Sequence, residues 1–311
     1  MREIFSSPNH MQNTNPEKLK EQVREFWNRQ SCDTQVAQSG KFSREYFEEI
    51  ESFRYFDQPF IHSFAQFSRY HQKKVLEVGF GAGTDFIQWL RSGAEVTGID
   101  LTPEALENLQ HRIQVYDLPA PEKMAVGDAE KLPFASNVFD LGYSFGVLHH
   151  SPDTIKAMGE LIRVVKPGGE IKIMVYNRHS ILVFNRWVRK ALLRGKPWKN
   201  LKWILWHHAE NAGTKGYTRT ELQEIFKGFP VEDVCIRTEV TSGDYLSSHA
   251  FPPLNLFWRF ILRLAGCQGP WFKNLYTEPP SGKIPGPFRL TGNRLGFYHC
   301  IQARKIRAKQ S

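Results

Sequence analysis

The chain predicts an α/β fold, a doubly wound parallel sheet, from three observations. Val75-Leu76-Glu77-Val78 is an apolar run that ends in the turn Gly79-Phe80-Gly81-Ala82-Gly83, with a helical pattern from Thr84 to Arg91. One strand–helix unit later, Val96-Thr97-Gly98-Ile99-Asp100 repeats the strand pattern and places an acid at its carboxyl end. Strand and helix patterns then keep alternating as far as Tyr176, the signature of βαβ units. In such a sheet ligands bind beyond the carboxyl ends of the strands. Glycines let the backbone approach a nucleoside there, and a carboxylate receives the ribose hydroxyls.

Taken in order, Asn15-Pro16 supplies a cap and a first-turn proline for a helix. Its stripe is Leu19, Val23, Phe26 and Trp27, running to Gln30. A second helix starts at Ser43 with Phe47, Ile50 and Phe53 at helical spacing, and a third follows Pro59 with Ile61, Phe64, Phe67 and Tyr70. Residues 1–72 read as a helical cap ahead of a sheet-bearing domain at 73–306. Strands are expected at 74–79, 95–100, 122–126, 139–145 and 170–176, with helices at 84–91, 103–112 and 153–165. Residues 177–216 interrupt this order, which resumes with a helix at Thr218–Phe226 (Thr218 and Glu221 form a capping box) and a strand at Val231–Val240. A second interruption at 247–292 is rich in Pro, Gly and aromatic residues; a last strand at Gly296–Ala303 precedes a basic tail at 307–311.

The glycine spacing narrows the ligand. Gly79 and Gly81 fit the dinucleotide pattern G-x-G-x-x-G, but its sixth position is Thr84 and the third glycine arrives early, at Gly83. The pattern E-x-G-x-G-x-G on Glu77, Gly79, Gly81 and Gly83 resembles the first motif of class I S-adenosylmethionine (SAM)-dependent methyltransferases. An acid at the strand end suits a sulfonium cation better than a polyphosphate. Gly127-Asp128-Ala129-Glu130-Lys131-Leu132-Pro133-Phe134, Phe139–His150 and Arg163-Val164-Val165-Lys166-Pro167-Gly168-Gly169 resemble runs of the type 11, ubiquinone-methyltransferase-like branch. The resemblance spans Lys74–Tyr176. It implies a seven-stranded Rossmann-like sheet with an antiparallel last strand, SAM as cofactor and S-adenosylhomocysteine as product. It also implies cofactor contacts from Glu77, Gly79, Phe80, Gly81, Gly83, Thr84, Asp100 and Leu101. Asp128 and Ala129 would serve the adenine, and Phe145 and Gly146 the methionine and sulfonium side.

Methyl transfer from a sulfonium is an in-line displacement, so the protein's part is mainly alignment and exclusion of water. His149 and His150 follow the fourth strand, where the acceptor approaches in this architecture, and Tyr176 ends the fifth. A histidine titrates near neutrality and can take an acceptor proton, which makes His150 and then His149 the candidate bases. Asn177, His207, His208 and Tyr217 are secondary candidates. Ser144-Phe145-Gly146-Val147 stands where nucleobase-amine methyltransferases carry N-P-P-Y, which disfavours that substrate class. No His, Asp or Cys cluster has metal-ligand spacing, so no metal is expected.

The net charge of +9 is concentrated: eight Lys and Arg and no acid fall between Arg178 and His208. That argues against a general nucleic-acid binder and for a local cationic surface. Within it Ile181, Phe184, Val188 and Leu192 share a helical face, interleaved with Trp187, Trp198, Trp203 and Trp206. In the second insertion Leu254–Ala265 is apolar nearly all round, broken by Arg259 and Arg263. Both insertions are read as a lid over the acceptor; the alternative is a helix lying in a membrane interface. Cys32, Cys235, Cys267 and Cys300 are widely spaced, the first residues lack an apolar signal, and no run reaches the roughly 18 apolar residues of a spanning helix. The expectation is a cytoplasmic enzyme that methylates a small apolar or amphipathic acceptor, with peripheral contact at the inner face of a membrane as the variant. Kept beside it are methylation of a membrane-resident quinone or lipid, a SAM-binding protein without catalysis, and a nicotinamide oxidoreductase, which Thr84 and Asp128-Ala129 disfavour.

Overall fold

The structure, a computed structural model, describes residues 15–240 and 295–307. Its strands are β1 (Lys74–Val78), β2 (Glu95–Asp100), β3 (Lys123–Val126), β4 (Phe139–Phe145), β5 (Val165–Tyr176), β6 (Val231–Glu239) and β7 (Tyr298–Lys305). Its helices are α1 (Pro16–Arg29), α2 (Arg44–Asp57), α3 (Ile61–Ala65), α4 (Thr84–Arg91), α5 (Pro103–Val115), α6 (Thr154–Val164), α7 (Ile181–Lys190), α8 (Leu201–His208) and α9 (Arg219–Lys227). The strands form one sheet in the order β3-β2-β1-β4-β5-β7-β6. β1 to β5 run parallel, and β7 is antiparallel to both β5 and β6. The strand order reverses between β1 and β4, and ligands bind at such a switch point.

The alternation of side chains along each strand feeds two cores. Val75, Val96, Leu141 and Tyr143 pack with Phe64, Phe67, Phe86 and Trp89 on one face. Leu76, Val78, Ile99, Ile171 and Ile173 pack with Met158, Leu161 and Phe226 on the other. Covering on both faces is why β1 reads as a continuous apolar run.

Asn15 caps α1 by accepting from the Glu17 N–H, and Ser43 caps α2 by accepting from the Tyr46 N–H. The third expected helix is shorter than its stripe. It stops at Gln66, in the left-handed region at φ 58°, and continues as a 3-10 turn over Phe67–Tyr70. The cause is Lys172 of β5, fully buried, whose Nζ donates to the Ala65 carbonyl (2.8 Å) and to Gln66 Oε1 (2.9 Å), taking over the helix end. β5 begins earlier than expected: Val165 already pairs with Phe139, and Lys166-Pro167-Gly168-Gly169, with Gly168 at φ 80°, bulges out before pairing resumes at Glu170.

The first insertion folds as α7 and α8, but with the opposite face inward. Leu182, Val183 and Asn185 are buried, whereas Phe184 is 49% and Leu192 43% exposed. Ile181-Leu182-Val183-Phe184 is apolar all round, so periodicity could not choose a face. The Ser180 cap on the Val183 N–H and packing of α7 on α8 set it. The second insertion at 247–292, the helix expected at Leu254–Ala265 and the tail beyond residue 307 lie outside the described residues.

Among the ion pairs that join the cap to the sheet layer, one is buried on both sides. Arg54 of α2 grips Asp85 of α4 with two bonds, Nε to Oδ1 at 3.0 Å and Nη2 to Oδ2 at 2.7 Å. Asp85 also accepts from Tyr143 (2.8 Å) and Tyr55 (3.2 Å). Burial alone would raise the Asp85 carboxyl; Arg54 and the tyrosines hold it below the usual carboxylate range. Arg54→Ala strands a buried carboxylate and should cost about 3–5 kcal/mol in urea unfolding. Because the folded pKa of Asp85 lies below its unfolded value, the wild-type contribution is complete above about pH 4 and fades as pH falls further. The stability difference between the two proteins should shrink over that acid range.

Candidate active site

A cavity of about 330 Å³ opens at the carboxyl ends of the parallel strands, on the switch point. Its floor begins where β1 runs into the glycine loop. Gly79 sits at φ 81°, and a Cβ there would come within 2.2 Å of Val147, so conformation and space both demand glycine. Gly83 sits at φ 75° as the N-cap of α4, and a Cβ would strike Leu109 at 2.7 Å. It serves helix packing and does not line the cavity, unlike the other expected cofactor residues.

Asp100 closes β2 and pins the loop. Its Oδ2 accepts from the Gly81 N–H at 3.0 Å; its Oδ1 accepts from Thr102 N–H at 3.0 Å and Oγ1 at 2.9 Å. Burial still raises its carboxyl above the ordinary value against these donors. Oδ1 is filled by its two donors, and Oδ2 keeps capacity to accept a further bond. Glu77 is buried and takes the Trp89 indole N–H at 2.9 Å; burial, with Asp85 nearby, pushes its carboxyl well up. A cation in the cleft would favour its ionised form. Thr84 is spent internally: its hydroxyl accepts from Arg112 (2.7 Å) and its carbonyl from Tyr55 (3.3 Å). Asp128 accepts the Glu130 N–H at 2.8 Å and the Lys20 ammonium of α1 at 2.8 Å, so the cap closes directly on it.

The two histidines part company. His149 is fully buried, its ring centroid 3.9 Å from that of Tyr176, and neither nitrogen has a hydrogen-bond partner among the described residues. Burial, aided by His150, drives its pKa well below the ordinary value. Fully buried and absent from the cavity lining, His149 is not placed to meet an acceptor there, against the expectation of a second base. His150 lines the cavity beside Tyr176, edge-on to the Trp27 ring at 5.3 Å. Asn177, His207, His208 and Tyr217 do not line it; His207 and His208 pack on Trp203 instead.

Among the described residues the cover is made mostly by the N-terminal cap, through Lys20, Val23, Trp27, Ser31, Cys32 and the stretch around Phe53–Gln58. From 177–216 the lining receives one residue, Glu210. Sequence reasoning passed over Glu210, though a signal was there: it is the single acid in that cationic segment. Tyr298 and Arg54, also at the cavity, gave no such signal. Among the described residues no group of His, Cys, Asp and Glu is arranged to hold a metal ion.

Residues 76–173 match the family model described as a methyltransferase domain. The chain carries a class I SAM-dependent methyltransferase domain. The pattern on Glu77, Gly79, Gly81 and Gly83 implies SAM as its cofactor. Demethylmenaquinone methyltransferase of Corynebacterium kroppenstedtii is 34% identical over 40% of this chain and 51% of its own length. Phthiotriol/phenolphthiotriol dimycocerosates methyltransferase of Mycobacterium leprae is 36% identical over 32% of this chain and 36% of its own. The chain thus spans about half, or less, of the length of these curated relatives. Phosphoethanolamine N-methyltransferase 2 of Haemonchus contortus, solved with phosphomonomethylethanolamine and S-adenosylhomocysteine, superimposes with a TM-score of 0.53 at 17% identity. That match covers 92% of this chain and 61% of that one, and it bears on the fold of the methyltransferase domain.

The cleft fits SAM: Asp100 Oδ2 offers an open acceptor position at the end of β2, and Glu77 is a buried acid suited to a cation. Asp100→Asn should weaken SAM binding by about 1.5–3 kcal/mol, the worth of charge-assisted bonds, as measured by calorimetry. Wild-type affinity in the variant would remove Asp100 from the ribose site.

Proposed function

We propose that the protein methylates a small apolar or amphipathic acceptor from SAM. One observation carries this reading: the cleft around Asp100 and Asp128 continues into a recess walled by Trp27, Phe145, Tyr176 and Tyr298, with His150 and Glu210 at its polar edge. When bound, SAM supplies a methyl group activated on a sulfonium. In this reading Asp100 holds the ribose hydroxyls, Asp128 and the Ala129 N–H hold the adenine, and Phe145 and Gly146 flank the methionine side. Trp27 and the tyrosines orient the acceptor and exclude water, which keeps the reacting atoms aligned. The relatives named for demethylmenaquinone and phthiotriol dimycocerosates support an apolar acceptor. The test is transfer of isotope-labelled methyl from SAM into a solvent extract of the producing cells, catalysed by the purified full chain. A labelled product one methyl group heavier than its precursor is expected; no transfer overturns the reading.

A second observation favours an acceptor that resides in a membrane. Phe184, Leu192, Leu193 (63% exposed) and Trp198 (71% exposed) point outward from the cationic first insertion. Apolar side chains ringed by Lys and Arg suit an anionic lipid surface. Among the described residues no helix is long and apolar enough to cross a membrane. The full chain should float with anionic vesicles at low salt, and rising salt should release it as the charges are screened. Leu193→Asp with Trp198→Asp should abolish flotation while SAM binding persists; failure of the wild type to float at any salt removes this reading.

A further inference from the structure

The chain between α1 and α2 makes a tight turn at residues 31–34. The Ser31 carbonyl accepts the Thr34 N–H at 3.2 Å and the Thr34 hydroxyl at 2.8 Å, which closes the turn. Asp33 holds the left-handed conformation that such a turn takes at its third residue, at φ 65° and ψ −3°. Its carboxylate meets Arg54 Nη1 at 3.4 Å, so the turn is anchored to the same arginine that grips Asp85.

The turn faces the middle of the glycine loop. A Cβ on Gly81 would stand 3.6 Å from Cys32 Cβ and 4.0 Å from Ser31 Oγ. The Gly81 N–H itself donates to Asp100 Oδ2 at 3.0 Å. Ser31, Cys32, Gly81 and Asp100 all line the cavity. Ser31 is 3% exposed, yet its hydroxyl makes no hydrogen bond among the described residues. Nor is that oxygen sealed inside the protein, so the little surface it keeps is on the cavity. Buried hydroxyls are as a rule paired, and one left open on a cleft calls for a partner from a ligand.

We infer that this turn is a cofactor-binding element: the Ser31 hydroxyl donates to a ribose hydroxyl of SAM, and that hydroxyl donates in turn to Asp100 Oδ2. The inference rests on the methyltransferase reading above and extends its cofactor contacts from the sheet to the cap. A carboxylate oxygen only accepts, so a ribose hydroxyl that meets Asp100 spends its hydrogen there and keeps its lone pairs. A donor must come from elsewhere, and the Gly81 N–H is already committed to Asp100. Ser31 Oγ is the partnerless donor that the cap brings to this spot. Cys32, the next residue, then lies against the bound cofactor. It is exposed and lines the cavity, so its thiol reports whether the cleft is filled.

Calorimetry of the full chain with S-adenosylhomocysteine and its 2′-deoxy and 3′-deoxy forms tests the bond. Ser31→Ala should weaken S-adenosylhomocysteine about 3- to 10-fold, the worth of one neutral hydrogen bond. Toward the deoxy form that lacks the contacted hydroxyl, the same substitution should make no difference, the mark of a direct contact. Equal weakening toward all three ligands, or none toward any, overturns the proposal. Alkylation of the wild-type chain, resolved by residue, carries the test if Ser31→Ala does not fold. With S-adenosylhomocysteine at ten times its dissociation constant, Cys32 should react about tenfold more slowly, since the open form is that much rarer. Cys235 of β6, exposed and outside the cavity lining, should keep its rate. Undiminished alkylation of Cys32 in the loaded protein overturns the proposal. Failure of the wild type to bind S-adenosylhomocysteine would instead sink the cofactor reading, and the proposal with it.

Discussion

The buried grip of Arg54 on Asp85 is the constraint on which the rest of the site depends. Other polar ties hold the cap, Lys20 to Asp128 and Arg112 to Glu51 among them, but they reach through longer or more exposed side chains. A bidentate pair with tyrosine hydroxyls on its remaining lone pairs admits one geometry. It fixes α2 against the first turn of α4, and so against the glycine loop that precedes it. The same charge acts on Glu77, whose carboxyl is driven up partly by Asp85. Packing of the cap and the surroundings of an acid in the cleft thereby share one pair of residues.

The division of labour between sheet and appendages follows. The sheet end supplies what a nucleoside needs: a loop that must be glycine at Gly79, and a carboxylate at Asp100 that also ties that loop down. These demands come from backbone geometry and leave little latitude. The acceptor recess is assembled from distant segments: Trp27 from the cap, Tyr176 from β5, Glu210 from the insertion and Tyr298 from β7. Substrate choice can diverge there without touching the cofactor cleft, in keeping with the short matched span shared with relatives of different named substrates.

That contrast also explains what was legible. The strand–turn–helix at Val75–Arg91, the acid at Asp100 and the capping box at Thr218 are local patterns, and each appears where the residues place it. Lys172 reads as an ordinary polar position in a strand, yet it ends α3 from more than a hundred residues away. The inward face of α7 was unreadable because its first four residues are all apolar. His149 and His150 are adjacent and chemically alike; what separates them is that Thr214 and Glu210 stand beside the second ring, whereas the ring nitrogens of the first have no hydrogen-bond partner among the described residues. Local order is written in neighbours, whereas a site built from four elements is written in contacts that only folding creates.

The helix α1 touches both ends of the cavity. Its Lys20 binds Asp128 at the adenine end, and two turns on its Trp27 leans on His150 at the acceptor end. A shift of the helix as a whole would disturb both contacts at once, so in the proposed reading cofactor exchange and clearing of the recess share one moving part.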